Sequence, residues 1–333
     1  MSKYRGNITL GIILFIVMFL IPFLSLGGKN PAKNKTQKAV RENQSGQPAT
    51  QSSFKILDKK SGKVLTVDDR TFLYGAVAAE MSPNAEPEAL KAQAVASYTY
   101  YSRLREKQSE SADSSLKGAD FSADTENWQL YVPIDKMEKK WGNNFDANYK
   151  KITSAANAVY GQTLTYGGNL IDATYYAISS GNTESSKDIW GGDTTYLVSV
   201  ASPGDIFAGG YKTSADFSSD EFRPRILEVS PNSVMSGDPS VWVGKIERTA
   251  AGSVKNIIIG GQNVAGDKVR SALGLRSANF AVSFADGKFT FMVKGYGHGV
   301  GMSQTGAQYM AKEGATYGQI LSWYYPTAKL TKI

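Results

Sequence analysis

Residues Ile8–Leu26 run for 19 positions without a charge, as ITLGIILFIVMFLIPFLSL. At a rise of about 1.5 Å per residue, a helix of this length spans the hydrocarbon of a bilayer. Pro22 near its end permits a kink without preventing insertion. The segment is read as an uncleaved transmembrane anchor over 8–26, preceded by a cytoplasmic N-terminus over 1–7. A cleaved signal peptide is the alternative, weakened because only Ser25 and Gly27 suit a small-x-small cleavage site. Residues 27–53 are Lys, Asn, Gln, Ser, Thr, Pro and Gly with almost no apolar content, a flexible basic linker of roughly 30 Å reach.

Charge follows the same division. Lys3, Arg5, Lys29, Lys33, Lys35, Lys38 and Arg41 face Glu42 alone, so residues 1–53 carry +6 of the chain's +7. The body is close to neutral, which removes the main support for a nucleic-acid reading. Most of these cations follow the apolar segment, so the count does not fix its orientation. They suit contact with anionic headgroups or wall polymers, or simply keep the linker solvated.

The body is globular in composition, with 41% hydrophobic and 20% charged residues across the chain. It has no cysteine and one histidine, His298. Disulfides, thiolate nucleophiles and thiolate metal sites are excluded, as is any site needing several histidines. No metal and no cofactor are expected. Chemistry must rest on carboxylates, hydroxyls, Lys, Tyr or backbone amides.

The expected fold class is α+β. Phe54–Val67 reads as a strand pair around Ser61-Gly62. A helix capped by Asp68 or Asp69 runs to about Met81, and a second runs from Pro87 to about Lys107. Residues 108–120 read as a loop, and a third helix covers about Asp146–Val159. Thr163–Tyr166 and Leu170–Ala177 form a hairpin across Gly167-Gly168. From Phe222 to Val293 the pattern is mostly β, interrupted by a helix over Asp267–Leu273. Two short helices close the chain, after Ser303 and after Thr316, where Gln319 completes a capping box. The folded region is therefore 54–333, with a helical and mixed core over about 54–200 and 290–333. A β-rich lobe over about 205–290 is inserted in it.

Steps of three and four along the first helix, from Phe72 and Leu73 through Ala76 and Val77, lead to Glu80. A carboxyl on the buried stripe, near the negative end of a helix, has its pKa raised and suits general acid work. The bland reading is a fraying helix end whose Glu reaches solvent or a nearby cation.

A second signal is Gly295-Tyr-Gly-His-Gly-Val-Gly-Met-Ser-Gln-Thr-Gly306, leading into a helix. Glycines let backbone approach a ligand, but the run has neither a phosphate-binding lysine nor hydrolase-elbow spacing. His298 is a base for Ser303 in a disfavoured serine-hydrolase reading, a structural imidazole, or a site residue. The third signal, Ser179-Ser-Gly-Asn-Thr-Glu184, is explicable as a turn, with Glu184 as a second carboxylate of interest.

Four segments in order carry a resemblance: Glu80-Met81, Pro87-Glu88-Ala-Leu-Lys-Ala-Gln-Ala-Val-Ala96, Ser180-Gly-Asn-Thr-Glu184, and Gly297-His-Gly-Val-Gly-Met-Ser-Gln304. Together they resemble the stage II sporulation protein D family, shared with the amidase enhancer, over about 54–333. The resemblance implies a membrane-anchored lytic transglycosylase with an extracytoplasmic body. It would cleave MurNAc-GlcNAc β-1,4 bonds of peptide-stripped glycan to 1,6-anhydro ends during engulfment in endospore formation. A non-catalytic wall-binding protein that stimulates an amidase is the alternative. Implied partners are peptidoglycan strands, the amidase stage II sporulation protein P and the scaffold stage II sporulation protein M, with no nucleic acid.

The catalytic role falls on Glu80. Lys91, Gln93 and Tyr98 of the second helix are candidate substrate contacts, as are Ser180 and Glu184. Tyr296, His298, Ser303 and Gln304 complete that set. Ser82 interrupts the family's Glu-Met-Pro, and Tyr98 stands where the family usually has arginine. Some relatives hold zinc through Cys and His, which this chain should not do.

Overall fold

The computed structural model describes residues 52–127 and 129–332. The expected N-terminus, the anchor at 8–26 and nearly all of the linker lie outside the described residues. Among the described residues, no helix is long and apolar enough to cross a membrane.

β1 (Ser53–Asp58) and β2 (Val64–Asp68) pair antiparallel around the Ser61-Gly62 turn. Asp68 then caps α1 (Asp69–Glu80), accepting from the Thr71 N–H at 3.0 Å. Pro87 in the first turn opens α2 (Pro87–Glu110), around which much of the core packs. The helix outlasts its expected end at Lys107 because Gln108 and Glu110 are good helix formers. β3 (Phe121–Ala123) joins β1 in parallel. α3 (Ile134–Trp141) is an unexpected helix of eight residues, whose apolar Ile134, Met137 and Trp141 stand three and four apart with only Met137 buried. α4 (Phe145–Val159) is the expected third helix.

β4 (Gln162–Tyr166) turns through Gly167-Gly168 into β5 (Asn169–Leu170), so the hairpin's expected second arm stops early. β6 (Tyr175–Tyr176) pairs elsewhere, as described below. α5 (Ser186–Trp190) follows, capped by Ser185 and ended by left-handed Gly191.

The chain then builds the lobe. β7 (Lys212–Ser218) leads into α6 (Ser219–Val229), where β structure was expected from Phe222. A Ser218–Glu221 capping box and the buried pair Phe222 and Ile226, four apart, favour helix despite the internal Pro224. β8 (Val243–Arg248), β9 (Val254–Ile259) and β10 (Gln262–Ala265) form one antiparallel sheet. α7 (Gly266–Leu273), ended by Gly274, precedes β11 (Phe280–Ala285) and β12 (Lys288–Lys294), which make a second sheet with β7.

β13 (Met302–Ser303) returns to lie parallel to β6. α8 (Gln304–Lys312) and α9 (Tyr317–Tyr324) follow, the latter with the expected Thr316–Gln319 capping box. β14 (Lys329–Lys332) pairs with β4. The lobe has its own apolar cluster around Phe222, Phe280, Phe289 and Ile257. A separate cluster around Phe54, Phe72, Tyr101 and Ile152 joins α1, α2, α4 and the C-terminal helices. The architecture is mixed α+β with several small sheets.

Candidate active site

Glu80 is the last residue of α1. Phe72, Leu73, Ala76 and Val77 on the same stripe are buried, and they carry the half-buried Glu80 side chain inward. Its Oε2 accepts from Gln304 Nε2 at 3.1 Å. That nitrogen also donates to Gln93 Oε1 at 3.3 Å, and Gln93 Nε2 donates to Ser97 Oγ at 3.0 Å. Ser97 Oγ donates in turn to the Tyr175 hydroxyl at 3.3 Å. Each amide's orientation is thereby fixed by its neighbour. The chain joins α1, α2, β6 and α8.

Burial pushes the Glu80 carboxyl above its ordinary range, and the Gln304 hydrogen bond opposes that rise. The carboxylate takes its hydrogen bond from a neutral amide and not from a cation. That favours the acid reading over the fraying helix end. Buried Tyr101 and partly buried Tyr175 are held well above the usual phenol range, first by desolvation, with the Glu80 charge adding. Both remain protonated at neutral pH.

Two candidates on α2 lie away from this cluster. Tyr98 was expected to project beside Glu80. It is 5% exposed, donates to Asp69 Oδ2 at 2.9 Å and packs against Phe54 and Tyr160. Asp69 is at the opposite end of α1 from Glu80. The glycan contact is corrected to a packing role, because α2 antiparallel to α1 carries position 98 toward the start of that helix. Lys91 is two residues from Gln93, about 200° around the helix. It pairs with Glu88 at 2.6 Å and lies over the Tyr317 ring, holding α9.

The glycine run lines a different crevice. Gly295, Gly297, Gly299 and Gly301 all have positive φ. A Cβ on Gly301 would stand 2.0 Å from Thr174 O, and one on Gly299 would stand 2.9 Å from Glu184 Cγ. The glycines therefore admit the chain's own 174–184 segment, where a ligand was the expectation. His298 Nδ1 accepts from the Val300 N–H at 3.1 Å, which leaves Nε2 to donate to Tyr175 O at 3.1 Å. Desolvation lowers its pKa to about 4. A neutral imidazole with both nitrogens occupied is no base for Ser303.

Ser303 instead caps α8 and donates to Asp205 Oδ1 at 2.6 Å. Asp205 also accepts from Ser202 Oγ and from the Ser179 N–H, and burial raises its pKa. This fully buried carboxyl was missed. Its link to Ser303 spans 98 residues, which no local pattern shows.

Glu184 is 2% exposed. Its Oε1 accepts from Thr249 Oγ1 at 3.0 Å and from the Ser253 N–H at 3.3 Å, both in the lobe. Ser180, Glu184 and His298 share a crevice with Ser253, Ser277 and Asn279. Tyr296 is half-exposed, with the Arg276 guanidinium 4.3 Å from its ring centre. The structure thus brings Gln93 and Gln304 to Glu80, and Ser180 and Glu184 to His298. Among the described residues, no group of three or more Asp, Glu or His side chains is arranged to hold a metal.

Residues 58–166 match the stage II sporulation protein family model. The chain is 34% identical to stage II sporulation protein D of Bacillus amyloliquefaciens, over 94% of this chain and 90% of that protein. Against stage II sporulation protein D of Bacillus subtilis, identity is 33% over 96% and 92%. An amidase enhancer of Bacillus subtilis is 27% identical over 78% of this chain and 40% of its own length.

Proposed function

The chain belongs to the stage II sporulation protein D family, with a role in sporulation, and from that premise we propose that it is a lytic transglycosylase of peptidoglycan glycan strands. The observation that carries this reading is Glu80, a desolvated carboxyl held by a fixed neutral amide. Burial raises its pKa and so enlarges the protonated fraction, which donates its proton to the glycosidic oxygen as the C1–O bond breaks. The resulting carboxylate takes the proton of the muramic 6-hydroxyl as that oxygen bonds to C1. A 1,6-anhydro ring closes, Glu80 ends protonated, and no water is consumed. One carboxyl suffices for both transfers, whereas a two-carboxylate hydrolase needs a second positioned Asp or Glu. Glu184 is committed to Thr249 and Ser253.

In this reading Ile8–Leu26 anchors the protein in the cell membrane, and the body works outside it in the septal intermembrane space. Its partners are the amidase stage II sporulation protein P, which strips peptides from the substrate, and the scaffold stage II sporulation protein M. The amidase enhancer relative favours a second reading, a wall-binding protein that stimulates an amidase and cleaves nothing. Digestion of peptide-free glycan strands separates the two. Mass spectrometry should show products about 18 Da lighter than hydrolysis products, the mass of one water not added. Reducing muramic ends would overturn the transglycosylase, and intact strands would favour the second reading.

A further inference from the structure

The crevice between core and lobe contains an atom that the Glu80 chemistry leaves unused. Glu184 is almost fully buried, and Oε1 takes both of its hydrogen bonds. Oε2 is buried without a hydrogen-bond partner among the described residues. A buried carboxylate oxygen without a donor is costly, and such an atom is retained where something else supplies the donor. It lies in a crevice of about 10 Å³, lined by Ser180, Ser253, Ser277, Asn279 and His298. That space takes about one water-sized group. Hydroxyls and an amide give the lining both donors and acceptors.

An aromatic face adjoins this lining. Trp190 closes α5 and is 50% exposed. Its ring centre is 5.3 Å from that of His298, which lines the crevice. His298 is locked by Val300 and Tyr175, so its ring is a fixed support. An exposed indole beside the His298 wall of a crevice that holds a carboxylate acceptor matches a pyranose ring, which offers an apolar C–H face and equatorial O–H or N–H donors.

We propose that this crevice is a second saccharide subsite, in which the Trp190 face takes a sugar ring and Glu184 Oε2 accepts a hydroxyl or acetamido N–H from it. The inference deepens the glycan-cleaving reading of Glu80 and rests on it. Tyr175 ties the two places together through the protein, its carbonyl accepting from His298 and its hydroxyl accepting from Ser97. Glu184 also explains Gly299, since any side chain there would displace the carboxylate.

The test is calorimetric titration of the full, detergent-solubilised chain with peptide-free glycan oligomers, in a Glu80→Gln background that prevents turnover. Glu184→Gln keeps Oε1 as acceptor for Thr249 and Ser253 and replaces Oε2 by a donor. It should weaken binding about tenfold, and Trp190→Ala by a similar factor. Thr249→Val removes one of the two lobe donors to Oε1 and leaves the Ser253 N–H bond and Oε2 in place, so it should lower Tm while affinity holds. Glycan affinity in Glu184→Gln or Trp190→Ala within twofold of the background would overturn the subsite. So would a loss in Thr249→Val as large as that in Glu184→Gln, because docking of the lobe would then explain both. Cleavage by the unmodified protein, measured separately, reports on the Glu80 reading, so the two fail independently.

Discussion

Glu80 and Glu184 are the same residue type in two surroundings, and almost everything about them is inverted. Glu80 ends a helix, is half-buried and has a single neutral amide donor, so its proton is available. Glu184 sits on an irregular segment, is nearly sealed, and has a hydroxyl and a backbone N–H on one oxygen. The first can exchange a proton because little stabilises its ionised form. The second ties two hydrophobic clusters together and keeps one oxygen as an acceptor. Environment, not residue identity, sets the two carboxyls apart.

The largest effect that could break this contrast is at Glu80 itself. Glu80→Gln should cut cleavage by about 10²–10⁴-fold or more, since the amide can neither donate nor recover a proton. The same variant should raise Tm at neutral pH. The folded-state pKa lies above the unfolded value, so ionised Glu80 costs stability as pH rises past the ordinary Glu pKa of about 4.3. Thermal scans at several pH values should show the Tm advantage vanish in acid, and a Tm below the parent's at neutral pH would refute the desolvation argument.

Glu184→Ala should behave in reverse. It strands the Thr249 hydroxyl, while the Ser253 N–H keeps Thr249 Oγ1 at 3.1 Å, costing about 1–3 kcal/mol and lowering Tm by roughly 2–10 °C. A fully stable Glu184→Ala protein would remove the tie between the clusters.

Gln304→Ala sharpens the contrast through pH. In the proposed reaction Glu80 starts protonated, so the rate should fall as pH rises through its pKa. Gln304 stabilises the carboxylate, and its loss should move that alkaline limb upward. A limb that stays in place while the maximal rate drops would make Gln304 a substrate contact instead.

The smallest effect belongs to Tyr98→Phe. It removes one hydroxyl from Asp69, which keeps Arg105 at 3.1 Å, and should cost about 1 kcal/mol without changing KM. A raised KM would restore the glycan contact that the structure assigns to packing.

Legibility in the sequence followed the range of the interactions. Asp68, Gly274 and the Thr316–Gln319 box act within one turn, so α1, α7 and α9 were readable at their ends. Glu80 was readable because its own helix places it on the apolar stripe. Gln93 and Gln304 were placed by motif resemblance, but the hydrogen bonds that join them to Glu80 cross between elements. Tyr98 went wrong for the same reason, since helical spacing gives a direction around α2 and not what stands there. Helix α6 was missed although its Ser218–Glu221 box is local, because surrounding β pattern and Pro224 outweighed it. Asp205 has a partner three residues away and others far along the chain, so only the fold assembles it.

The 224-residue separation between Glu80 and Gln304 has a consequence in time. At a synthesis rate of about 5–20 residues per second, roughly 10–45 s pass between the appearance of the acid and of the amide that holds it. The whole lobe is made in that interval, and β13 must still find β6 before α8 can form its capped start. Until then Glu80 has no amide partner. A stalled or clipped product ending before residue 304 keeps Glu80 and lacks its setting, so a nascent chain carries this carboxyl long before its partner exists.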